Sequence, residues 1–251
     1  MLNNMESIVK LDDITIKEWE NGVIEFEVTD ENNNPISGDA AVKLNDSTFL
    51  KGKVVNGKFS EKCSFQEIHN ESYDIEVVFD GNEECNASRA YAKLYVKKID
   101  PIIISFHDLQ NAGYRLVKWI NINKRLPGKI SINNHQISIG HLLYIFSDAV
   151  INLNNNITDD LELTGIATPR VSSENLKCNV IVSKEEIVEI SEAIIVYSKE
   201  NNELPSTIET SKGKIGFMNL LYTLAVVIAN SSSTGLLNNV NVRPWKEIVA
   251  K

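Results

Sequence analysis

The chain has 251 residues, 43% of them apolar and 7% aromatic, with a formal charge of −9. That apolar content excludes a disordered polymer and fits one or two globular domains. The longest apolar stretch, Phe217 to Ala229, is broken by Asn219 and Thr223 and falls short of the ~20 residues of a membrane helix, so no membrane insertion is expected.

The charge is unevenly placed. Residues 1–104 hold 20 acidic and 11 basic side chains, whereas 105–251 hold 14 of each. An acidic half and a neutral half lack the basic face that releases counterions from nucleic acid, so no nucleic-acid partner is expected. The first 20 residues carry Asp12, Asp13, Glu18 and Glu20 and no apolar core, so they do not read as a signal peptide; a cytosolic protein, a piece of a longer one or a virus-delivered one is expected. The 29 Asn and 30 Ile are a bias typical of AT-rich genomes and speak of no activity.

From Ile14 to Lys97 the pattern has period two. Val23–Val28, Ala41–Leu44 and Tyr73–Phe79 alternate, and Asp30–Pro35, Val55-Asn56-Gly57 and Asp80-Gly81-Asn82 punctuate them as turns. About seven short strands in about 90 residues predict an antiparallel immunoglobulin-like sandwich with one wet face per sheet. The run Val28–Gly38, then Val54–Phe59, then Tyr73–Asn82 resembles the Ig-like modules of archaeal and bacterial surface proteins, which implies a spacer. Cys63 and Cys85 have no Trp between them; two ordinary thiols are expected, with a disulfide as the alternative in an oxidising compartment.

The second half carries an internal repeat at an offset of 78 residues. Trp119–Pro127 aligns with Tyr197–Pro205, Ile130 with Ile208, Ile137 with Ile215, and Leu142-Leu143-Tyr144 with Leu220-Leu221-Tyr222. Each copy opens with an amphipathic helix, apolar at Leu109, Ala112, Leu116, Val117 and Ile120 or at Ile187, Ile190, Ile194 and Ile195. Ser183 and Glu186 form a capping box, and Asp108 is the candidate cap of the first copy. Both helices must end before Pro127 and Pro205. A hairpin follows, turning at Asn133-Asn134 or at Lys212-Gly213, and then a closing helix with Phe146 or Leu224 at the centre of its apolar face. Gly113 inside the first helix counts as a cost of about 1 kcal/mol.

Asn-x-x-Leu-Pro, then an Ile/Val hairpin, then a Leu-Leu-Tyr helix resembles the pseudomurein-binding repeat of methanogenic archaea and their viruses, over residues 107–153 and 183–230. With the Ig-like module in front, the order is similar to that of methanogen adhesin-like surface proteins. The resemblance implies non-catalytic binding of pseudomurein, the archaeal wall polymer of amino sugars cross-linked by peptides, and a place at the cell surface. The alternatives are the wall-targeting part of a pseudomurein-degrading cysteine endoisopeptidase whose catalytic domain lies elsewhere, and a viral host-wall attachment protein.

The candidate ligand-binding residues are the aligned ones. On a helical wheel Tyr144 and Tyr222 point away from the core, to stack on a sugar ring or to pack against the neighbouring copy. Trp119 and Tyr197 flank the first helix of each copy, and core packing competes with ligand contact there. Leu126-Pro127 and Leu204-Pro205 end the helices and could line a groove, and Asn123 and Asn201 cap the helix or bind glycan. His135 and His141 have no counterparts and are expected on the surface. The copies differ in charge: 107–153 holds five basic and two acidic residues, 184–230 four and seven.

Catalytic chemistry finds little to build on. Cys178 lies in an apolar extended stretch with no helix start to lower its pKa, and all four His precede it. No Cys/His pair has zinc spacing, no phosphate loop is visible, and Asp159-Asp160-Leu161-Glu162 reads as a solvated loop before it reads as a calcium site. Neither enzyme activity nor a cofactor or metal is therefore expected. Five Asn-x-Ser/Thr sequons match roughly the number chance supplies at this composition. The expected architecture is a multi-domain chain: an all-β Ig-like spacer (1–104), an α+β helix–hairpin–helix repeat (105–153), an extended linker (154–182), a second repeat (183–230) and a tail (231–251).

Overall fold

A computed structural model describes residues 4–232 and 235–251. The part of the C-terminal tail at 233–234 and the first three residues of the spacer lie outside the described residues. The chain divides into two compact units, Met1–Asp100 and Pro101–Lys251.

The first unit is a sandwich of eight strands: β1 (Ser7–Lys10), β2 (Ile14–Lys17), β3 (Asn21–Asp30), β4 (Gly38–Leu44), β5 (Ser47–Val54), β6 (Lys58–Ser64), β7 (Ser72–Phe79) and β8 (Ser88–Lys97). One sheet has the order β1-β3-β6 and the other β2-β8-β7-β4-β5, with β2 parallel to β8 and the remaining pairs antiparallel. The alternation does what period two requires: Ile24, Phe26 and Val28 of β3 and Ile75, Val77 and Phe79 of β7 are buried, and the residues between them are more exposed. Asn56 and Gly57 take positive φ in the two-residue turn between β5 and β6, where Val55 bridges Lys58. Asp30 accepts hydrogen bonds from the backbone N–H groups of Asn32 and Asn34, fixing the expected turn. Cys63 and Cys85 are free thiols, as is Cys178 in the second unit.

The second unit contains β9 (Ile103–Ile104), α1 (Phe106–Asn123), β10 (Lys129–Ile132), β11 (His135–Ser138), α2 (Ile139–Asn154), β12 (Leu161–Glu162), β13 (Val180–Ser183), α3 (Lys184–Asn201), β14 (Thr207–Thr210), β15 (Gly213–Gly216), α4 (Phe217–Asn230), β16 (Asn239–Val242) and the single turn α5 (Trp245–Ile248). Ser105 is the N-cap of α1 and accepts from the Asp108 N–H, so Asp108 sits one turn inside where the sequence suggested the cap itself. The Ser183–Glu186 capping box of α3 is present. Lys124 and Asn202 end α1 and α3 in the left-handed conformation, two residues before Leu126 and Leu204. The first hairpin turns on Asn133 and Asn134, both at positive φ; the second turns on Ser211 and Lys212, one residue earlier than expected, with Thr210 paired to Gly213.

Two features differ from the expected string of modules. The repeat reaches further than 153 and 230: β9 pairs antiparallel with β12, and at equivalent places β13 pairs with β16, so each copy runs β-α-β-β-α-β and the supposed tail supplies its last strand. And the copies are not separate bodies. α1 packs on α4 and α2 on α3, each opening helix lying against the closing helix of the other copy. Gly113 explains the closeness of the first crossing: a Cβ placed there would stand 3.0 Å from the Ala225 carbonyl oxygen, so its helix-propensity cost is offset by contact with α4. The equivalent residues of the second crossing, Ser191 and Ser147, are also small, fully buried, and bonded back to the carbonyls of Ile187 and Leu143.

The segment 154–182 is not a solvated linker. Leu161, Leu163, Ile166 and Leu176 are buried, and Leu161 and Glu162 form β12 where an acidic loop was expected. Thr168 lies so close to Gly140 of α2 that any side chain there would collide with it.

Candidate functional site

The ten aligned residues divide by environment. Tyr144 is buried, 8% exposed, which overturns its expected outward position. The wheel assumed one covered face, but α2 is enclosed by α3, α4 and the 154–182 segment, and its buried residues span its circumference. Burial pushes the Tyr144 phenol up, with the Asp148 carboxylate adding to the shift and Thr164 opposing it. Tyr144 is thus a packing residue. Tyr222, at the matching place in α4, is half-buried: its hydroxyl lies 2.9 Å from Asn121 Oδ1 of α1 and its ring meets Trp245 edge-on, centroids 6.5 Å apart.

Trp119 is half-buried with the Arg125 guanidinium 5.0 Å from its ring centre, a cation–π contact, whereas Tyr197 is 40% exposed. Asn123 and Asn201 donate to the Trp119 and Tyr197 carbonyls at 2.9 and 2.8 Å, so both tie off the last turn of their own helix. Leu126 and Pro127 are half-buried; Leu204 and Pro205 are buried, because the Leu204 N–H bonds to the Ala167 carbonyl and Glu203 bridges Ala167. The structure therefore gathers Tyr222, Asn121 and Trp245 where α1 crosses α4, and it does not place Tyr144 or Leu204 on any surface.

In both copies the hairpin turn latches onto the first turn of the opening helix. Asn133 donates to Asp108 Oδ2 at 2.9 Å, and Lys212 reaches the Glu186 carboxylate at 2.6 Å. The Asn133 and Ser105 hydrogen bonds hold the Asp108 carboxyl below its ordinary range, and the Lys212 ammonium beside Glu186 does the same there.

Several positioning residues escaped the sequence reading. His141 is fully buried, where a surface residue was expected, with Nδ1 2.6 Å from Ser138 Oγ; His135 is exposed as expected. Asn219, the counterpart of His141, is fully buried too, donating to Glu174 Oε1 at 2.7 Å and to the Arg243 carbonyl at 2.8 Å. Gly216 offers α4 no capping side chain, and Ser172 and Glu174 supply one: Ser172 Oγ accepts from Met218 N–H, and Glu174 accepts from the N–H groups of Gly216 and Trp245. One signal was available. α4 contains no charged residue and α2 only Asp148, a composition of helices buried all round.

Among the described residues no three His, Cys, Asp or Glu are grouped to hold a metal ion, and no helix is long and apolar enough to cross a membrane.

No protein-family model matches the chain, and no curated protein matches it. Among solved structures it is similar to titin domain M7 at a TM-score of 0.29 and 13% identity, over 38% of this chain and 97% of that one. The fibronectin(III)-like modules of Clostridium thermocellum CbhA match at 0.28 and 12%, over 38% and 48%, and the Thermotoga petrophila endo-beta-1,4-mannanase at 0.26 and 13%, over 39% and 21%. The sandwich stands on its own strand pairing.

Proposed function

We propose that residues 101–251 bind a repetitive cell-wall polymer, pseudomurein by the resemblance of the Leu-Pro, hairpin and Leu-Leu-Tyr sequence to pseudomurein-binding repeats. The Ig-like unit serves as a spacer, and the protein acts at the cell surface without catalysis. The observation that carries the reading is the duplication itself: two β-α-β-β-α-β copies, each latched between hairpin turn and opening helix, offer a periodic polymer two related surfaces. Two sites on one body make the second contact intramolecular, raising affinity with no new chemistry. Tyr222, Trp245, Trp119 and Tyr197 are among the aromatic groups left at least partly open for contact. Co-sedimentation of the full chain with purified pseudomurein sacculi tests this. Retention in the pellet at low salt is expected; a chain left in the supernatant while a positive control is retained would overturn it.

A further inference from the structure

The two copies differ at the edge of the hairpin. In the first, Arg115 reaches from α1 to β10: its Nη2 donates to the Ser131 carbonyl at 2.7 Å and its Nε to Asn111 Oδ1 at 2.8 Å. The guanidinium thus bridges helix and hairpin. At the 78-residue offset Arg115 becomes Ala193, Asn111 becomes Glu189 and Ser131 becomes Glu209. There the structure holds a groove of about 340 Å³ between α3 and β14, with Ile190 and Ile208 among its apolar lining and Glu186, Glu189 and Glu209 among its polar groups. Lys212 neutralises Glu186, while Glu189 and Glu209 make no ion pair among the described residues.

We propose that this groove binds the guanidinium of an arginine side chain carried by a peptide or protein ligand, in the way the first copy binds its own Arg115. Three observations converge. Ala193 leaves open the place from which the first copy's arginine departs. The two substitutions that accompany it, Asn to Glu and Ser to Glu, each add negative charge, as a cation arriving from outside requires. And Glu209 pairs with Lys214 in β14–β15, whose own N–H and carbonyl bond outward to Asn175, so the Glu209 carbonyl turns to the strand's other edge, as the Ser131 carbonyl does in the first copy. A planar fork of donors fits a carbonyl and two flanking carboxylates better than an ammonium does. The site does not depend on wall binding and stands or falls separately from it.

The test is an amide-shift titration of the labelled full chain with N-acetyl-arginine amide, with the citrulline amide as the uncharged isostere. Saturable shifts in α3 and β14–β15 with the arginine probe alone are expected. The double variant E189Q/E209Q should weaken binding about fivefold or more, and raised salt should weaken it likewise. Ala193→Arg, an exposed helical position whose melting temperature should stay within about 2 °C of the parent, should fill the groove and abolish the shifts. Equal shifts with citrulline, equal affinity for a lysine amide, unaltered binding in Ala193→Arg, or no saturable shift at all would each overturn the assignment.

Discussion

The two copies of the 78-residue repeat have the same order of elements and unequal interiors. In the first, the Leu126-Pro127 corner is half-buried and Trp119 is held by Arg125; in the second, Leu204-Pro205 is sealed by the segment that connects the copies. The asymmetry follows from that segment, whose Ala167 bridges the second corner at Glu203 and Leu204. Likeness of sequence at a repeat therefore fixes local conformation, here cap, latch and turn, but burial belongs to whatever the rest of the chain lays on top.

Five substitutions would sharpen or break this contrast. Leu204→Ala removes a fully buried side chain and should cost about 3 kcal/mol in denaturant unfolding, whereas Leu126→Ala should cost about 1; equal losses would mean that the connecting segment does not seal one corner preferentially. Tyr144→Ala should likewise cost about 3 kcal/mol and Tyr222→Ala about half of that, with only Tyr222→Ala weakening sedimentation with sacculi. In Asn219→Ala the Glu174 carboxylate loses one of its three donors and the Arg243 carbonyl loses the Asn219 amide, and about 2 kcal/mol should go with them, together with a loss of near-ultraviolet signal from Trp245.

The smallest effect is pH-dependent. Burial raises the Asp148 carboxyl above its ordinary value, with Lys199 opposing. The folded chain then holds that proton more tightly than the unfolded one, so this group's contribution to stability falls as pH rises from the ordinary aspartate value through the raised one. Asp148→Asn should therefore raise the melting temperature at neutral pH, by about 2 °C, and the advantage should vanish in acid below that window.

Much of this architecture is written locally. The sandwich strands show as alternation, Ser183 with Glu186 announces its helix, and the prolines mark where the opening helices stop. What escapes local reading is contact with distant chain. Tyr144 looked outward because a helical wheel knows one neighbour and α2 has three. His141 looked solvent-exposed because its Ser138 partner is a matter of geometry. The short pairs Ile103–Ile104 with Leu161–Glu162 have too few residues to announce strands, and Val240-Asn241-Val242 does alternate but pairs with Val180–Ser183, almost 60 positions away. Gly113 read as a defect because its reward, the close approach of α4, lies 112 positions downstream.

The exchange of helices between the copies has a consequence for how such a protein can be divided. One copy on its own would expose the apolar face that its sister's helix covers, and the cheapest remedy open to it is a second molecule of the same kind. The 101–251 unit is thus a dimer whose subunits have been joined end to end, with a stoichiometry that dilution cannot undo. A single copy expressed alone should behave as a concentration-dependent homodimer. The two copies, correspondingly, are held at a spacing set by helix packing, so under the proposed function the period of a bound polymer would be matched by the fold and not by the reach of a tether.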